Sequence, residues 1–212
     1  MNKFLFLTTL LLISQTVTGM DIEKNIWVQA ERGNCARVVE LLDKGISVNA
    51  EGFSQESPLH VAAGNGHKSI INILIQRGAD VNQPNHTGRT PLHSAATRGQ
   101  VSAMYILITH GADINRPSID HETPLHCAVR NGYEVAVLQL LNFGAKVDAQ
   151  DKHQMTPLHA AAIKDNEVIV QHLLNFGAKV DVKDKLKRTP VHLAEGKKVV
   201  QLLKEWENWL NF

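Results

Sequence analysis

The chain has 212 residues, 43% of them apolar and 5% aromatic, with 22 basic against 21 acidic side chains. That apolar share excludes an unstructured chain, and a formal net charge of +1 supplies no general drive toward nucleic acid or an anionic membrane surface. Two cysteines are too few for a disulfide framework, so packing must hold the fold.

Residues 1–19 read as a secretory signal peptide. Lys3 gives the positive start, Phe4 to Ile13 an uncharged run rich in Leu and Phe, and Ser14 to Gly19 a polar, small-residue end. An apolar run of that length falls short of the ~20 residues that span a bilayer. The expectation is export, with cleavage near Gly19, no membrane span in the mature chain, and a secreted or periplasmic destination; a retained anchor is the alternative. Cleavage removes Lys3 and leaves a formally neutral chain.

A period of 33 residues governs the rest. Ser57-Pro58-Leu59-His60, Thr90-Pro91-Leu92-His93, Thr123-Pro124-Leu125-His126, Thr156-Pro157-Leu158-His159 and Thr189-Pro190-Val191-His192 recur at that spacing. Ser or Thr can cap the free N–H groups of a first helical turn, and Pro fits next because its missing N–H would be unpaired there. Leu92, Ala95 and Ala96 follow at helical spacing, Gly99 stops the helix, and Val101 to Thr109 carries a second apolar run ending before Gly111. A polar excursion from Asp113 to Glu122 leads to the next start. One pair of short helices cannot bury both faces, so the units must stack.

At the ends the pattern decays. Ala30, Gly33, Leu41, Leu42 and Gly45 keep register before the first motif, but Lys24-Asn25-Ile26-Trp27 has lost the start signal. At the other end Leu202-Leu203 comes 29 residues after Leu173-Leu174, so about four residues of the interhelix turn are missing. Val199, Leu202, Leu203, Trp206 and Leu210 form an apolar row that seals an array. The organisation expected is a leader at 1–19, a degenerate capping repeat at 20–56, full repeats at 57–89, 90–122, 123–155 and 156–188, and a truncated cap at 189–212.

These motifs resemble the ankyrin-repeat family, whose pattern is the Thr-Pro-Leu-His start, the Gly-His turn of Gly66-His67 and the Gly-Ala-Asp-Val-Asn end of Gly78 to Asn82. The resemblance covers about residues 21–212. It implies an all-α helix-turn-helix solenoid of L-shaped units, with hairpin or loop fingers along one edge and first helices lining a concave face. It also implies that His60, His93, His126, His159 and His192 hydrogen-bond backbone. Only Gly88 keeps the finger glycine; Gln55, His121, Gln154 and Lys187 replace it, which leaves the finger conformation open there. Asp165 replaces a turn glycine in the same way.

Chemical motifs are weak. His121 and His126 are five apart with Pro124 between them, so they cannot share a helix face as zinc-protease ligands do. Gly64 to Ser69 lacks the spacing and the strand of a phosphate loop. Cys35 and Cys127 lie in different units, too far apart to pair; Cys127 reads as a packed thiol and Cys35 as exposed. No catalytic constellation, metal site or cofactor is expected.

What remains is surface. Carried over from the family, the finger tips include Phe53, Glu56, His86, Arg89, Ile119, Asp120, Glu122, Lys152, Met155, Leu186 and Arg188, and the helix ends include Arg98, Arg130, Ile163 and Lys164. Phe53, Ile119, Met155 and Leu186 are apolar with no core to fill, which favours a protein-binding strip. Residues 21–56 carry four basic and seven acidic side chains, whereas 179–198 carry seven basic and three acidic. Asn85-His86-Thr87 is a glycosylation sequon on a finger. The function expected is a non-enzymatic, monomeric module binding a protein partner, as a host-directed effector or adaptor of a host-associated microbe; the alternative is a periplasmic protein that neutralises or chaperones an exported enzyme.

Overall fold

The computed structural model describes residues 25–210; the leader expected at 1–19 lies outside them. Among the described residues there are eleven α-helices and no strand. In chain order they are α1 Ile26–Glu31, α2 Cys35–Asp43, α3 Pro58–Asn65, α4 Lys68–Gln76, α5 Pro91–Thr97, α6 Val101–Thr109, α7 Pro124–Arg130, α8 Glu134–Asn142, α9 Pro157–Ile163, α10 Glu167–Asn175 and α11 Lys197–Leu210. None is long and apolar enough to cross a membrane.

The start motif works as a reciprocal cap. The backbone N–H of Thr90 donates to His93 Nδ1 at 3.0 Å, and the Thr90 hydroxyl lies 3.0 Å from the same nitrogen. Ser57 with His60, Thr123 with His126 and Thr156 with His159 repeat the arrangement. Because Nδ1 accepts, the ring proton sits on Nε2, which reaches a carbonyl 29 residues further on: Arg89, Glu122, Met155 or Arg188. Each histidine therefore ties its own helix start to the next finger.

Stacking follows from side-chain size. Ala62-Ala63, Ala95-Ala96 and Ala161-Ala162 are fully buried between neighbouring first helices, and small side chains let those helices approach closely. Leu59, Leu92, Leu125 and Leu158 are fully buried at one register position; Leu74, Leu107, Leu140 and Leu173 repeat it in the second helices. Burying one such side chain contributes about 1.5–3 kcal/mol. A polar ladder runs beside this core. Asn49, Asn82, Asn115 and Asp148 each accept through Oδ1 the backbone N–H of the residue 31 further on, at 2.7–3.0 Å.

The terminal units depart from the pattern. In the first, Asn25 takes over the cap, its Oδ1 accepting from the N–H groups of Trp27 and Val28. In the last, the first helix is a single 3-10 turn, Pro190–His192. The shortening thus falls on that helix, not on the interhelix turn where the sequence placed it. Val199 and Leu203 of α11 are buried, and Leu202 and Trp206 pack partly against the core. Cys127 is buried and its thiol titrates above the ordinary value because of that burial; Cys35 is half-buried rather than exposed, since it packs against the first unit's core.

Candidate partner-binding surface

Of the two finger forms expected, the structure shows the loop. Each finger closes with one backbone bond across four residues: Gly52 to Glu56, Asn85 to Arg89, Ser118 to Glu122, Asp151 to Met155 and Asp184 to Arg188, at 2.8–3.0 Å. The fourth residue of every turn is left-handed, and Gln55, His121, Gln154 and Lys187 adopt φ of 57°, 60°, 60° and 64° where Gly88 has 75°. The conformation left open by the missing glycines is therefore left-handed at that position in every finger, and the first finger adds a second left-handed residue, Ser54, at φ 61°. Asx side chains compensate for the strain: Asn85 Oδ1 accepts from the N–H groups of Thr87 and Arg89, and Asp151 and Asp184 do the same. The sequon asparagine is thus a turn cap.

Neighbouring fingers are joined by backbone. His86 N–H donates to Ser54 C=O at 3.1 Å, Ile119 to Thr87 at 2.9 Å, Lys152 to Asp120 at 2.9 Å and Lys185 to His153 at 3.0 Å. The tips thus form a connected row at a fixed pitch. Along it Phe53 is 96% exposed, Ile119 68% and Leu186 69%. His86 Nδ1 lies 2.8 Å from Ser54 C=O, adding a side-chain link to the backbone one. Lys152 pairs with Asp120 at 2.8 Å, and that ammonium holds the Asp120 carboxyl below the usual carboxylate range.

Four residues expected at the tips lie at the finger bases. Glu56, Arg89, Met155 and Arg188 are half-buried, because their carbonyls receive both the turn-closing N–H and the ring donor of the preceding unit, which turns them toward the first helices. Met155 is accordingly not an exposed apolar tip but part of a groove wall. Arg188 is held by Asp184, through Nε at 2.9 Å and Nη2 at 2.8 Å.

Glu122, also expected at a tip, is an internal anion, its side chain 9% exposed. It bridges Arg89, at 2.7 Å, and Arg130 of α7. Burial, then the nearby Arg89 charge, lowers the Arg130 guanidinium below its usual value. The sequence signal was opposite charges at one register, Arg89 and Glu122, in adjacent units. Arg98 Nη1 donates to Asn65 Oδ1 at 2.8 Å, and Lys164 at the end of α9 is exposed.

Fingers and first helices enclose two grooves. One, of about 640 Å³, brings Phe53, Glu56, His86, Arg89 and Arg98 together with Trp27. The other, of about 450 Å³, brings together Asp120, Arg130, Lys152, Met155, Ile163 and Lys164. Ile119, Leu186 and Arg188 lie outside both linings. In His60, His93, His126 and His159 both ring nitrogens are engaged by the protein, and among the described residues no three His, Cys, Asp or Glu side chains cluster as metal ligands do. The surface offers charge, shape and apolar contact.

A family model for ankyrin repeats, in three copies, matches residues 26–118, 59–151 and 125–209. No curated protein matches the chain.

Proposed function

The chain belongs to the ankyrin-repeat family, a family of protein-protein interaction modules, and on that premise we propose that it binds a protein partner without turning over a substrate. The observation that carries the reading is the row of Phe53, Ile119 and Leu186, three exposed apolar side chains held at set positions by backbone bonds beside two open grooves. Repeat surfaces of this kind bind by area and shape, so the mechanism is occlusion or scaffolding. The sequence of residues 1–19 supports export, and an exported binder would act as an effector or adaptor on a protein outside the producing cell.

Affinity capture tests the binding reading. The chain from Met20, which contains every described residue, is compared with a variant carrying Phe53→Ser, Ile119→Ser and Leu186→Ser, both checked for helicity. A protein retained only by the unaltered chain supports the reading; capture of nothing by either form discards it, and equal capture by both discards the role given to Phe53, Ile119 and Leu186. N-terminal sequencing of the exported product should begin near Met20.

A further inference from the structure

We infer that the C-terminal half of this surface takes an acidic protein segment carrying an apolar side chain. The inference rests on the protein-binding reading above and adds the chemistry of the partner.

Charge bookkeeping along the grooves carries it. Around the third to fifth fingers most carboxylates are held by groups within the protein. Glu122 lies between two guanidinium groups. Asp151 Oδ1 accepts the N–H groups of His153 and Met155. Asp184, 2% exposed, is taken by Leu186 N–H and by Arg188. Asp165 Oδ1 accepts the N–H of Gly196, and Asp120 is paired with Lys152. The cations are not consumed to match. Lys164, Lys185 and Lys187 are exposed and make no ion pair among the described residues.

These three cations frame apolar surface. Lys164 adjoins Ile163, 48% exposed, on a groove whose wall includes Met155. Lys185 and Lys187 flank Leu186, and the backbone bond from Lys185 to His153 sets their finger beside that groove. An extended segment lying along the groove would put an apolar side chain against Ile163, Met155 or Leu186 and carboxylates against the three ammonium groups. At the opposite end Glu31 and Glu56, which make no ion pair among the described residues, line the first groove with Phe53, together with Arg89 and Arg98. A basic segment would gain nothing from these three ammonium groups.

Fluorescence anisotropy tests the inference with three labelled synthetic peptides: one rich in Glu and Asp with a single Leu, the same peptide with Ser for Leu, and the same with Lys for every acid. Each is titrated with the chain from Met20 and with a helicity-checked variant carrying Lys164→Glu, Lys185→Glu and Lys187→Glu. The acidic Leu peptide should bind saturably, lose at least about tenfold in affinity on the variant and weaken with added salt, while the other two bind poorly. Absence of binding, equal binding to the variant, or indifference to Leu overturns the inference. If that happens while the Phe53, Ile119 and Leu186 variant still loses its captured partner, only the charge assignment falls. A salt-labile oligomer of the chain alone, abolished by Glu51→Lys and Glu56→Lys, would assign the groove to a second copy's first finger and also overturn it.

Discussion

Trp27 donates its indole N–H to the carbonyl of Glu56 at 2.9 Å, one unit before His60 makes the same connection to Arg89. Trp27 stands 33 residues before His60, so it occupies the histidine position of the first unit. The larger ring is accommodated because Gly52 lies opposite it, where a Cβ would come within 2.8 Å of the indole. Later fingers carry Asn85, Ser118, Asp151 and Asp184 at that position.

Trp27 and Gly52 should therefore be coupled. Gly52→Ala is expected to cost about 1–3 kcal/mol, since ring and backbone cannot both stay in place. Trp27→His combined with Gly52→Asn, which installs the pairing of the other units, should cost less than Trp27→His alone. Urea unfolding of the three variants measures the difference.

Stability should fall with acid over a defined window. Burial lowers His93 to about 3, and it lowers His60, His126 and His159 in the same direction. Below the ordinary histidine value of ~6.5 the unfolded chain binds protons that the folded chain refuses. Stability is thus complete above that value and lost as pH drops from there toward the folded values, by up to ~1.4 kcal/mol per pH unit for each such histidine. Thermal midpoints between pH 7 and 4 report the slope. His93→Gln should lower the midpoint at pH 7 but make its decline shallower.

The finger turns hold stability in reserve. Left-handed backbone costs a residue with a side chain about 1–2 kcal/mol, offset partly by the greater freedom of glycine in the unfolded chain. His121→Gly, Gln154→Gly and Lys187→Gly should each raise stability by ~0.5–1 kcal/mol. Gly88→Ala should lower it, because its Cβ would lie 2.9 Å from the backbone nitrogen of Ile119. Differential scanning calorimetry distinguishes these signs.

Removing Glu122 should leave two guanidinium groups facing each other. Glu122→Ala is expected to cost ~1–3 kcal/mol, and a double-mutant cycle with Arg89→Ala should give a coupling near 1 kcal/mol, kept modest because both arginines reach solvent. Glu122→Gln should recover part of the loss.

The repeat architecture was legible because its causes are local: a cap at Thr90, a ring at His93 and a stop at Gly99 each act within a few residues. What escaped the sequence depends on contacts between units. Position 27 reads as a lost motif until its indole is seen to reach Glu56, and Glu122 reads as a tip until Arg89 and Arg130 close on it. Met155 likewise looked solvent-facing, because nothing in its own unit shows that its carbonyl is claimed by His126 from the unit before. The finger conformation, left open where the glycine is missing, is held in two of those four fingers by the Asx caps of Asp151 and Asp184.

The four tip-to-tip bonds all run the same way, from an N–H of one finger to a C=O of the finger before. Since only main-chain atoms are involved, the row behaves as a ruler whose graduations are independent of what is written on them. Side chains at positions such as Phe53, Ile119 and Leu186 can be exchanged without moving their neighbours. Loss or gain of a whole unit would shift the inscription by one graduation and leave the spacing intact. A new partner can therefore be acquired by changing letters alone.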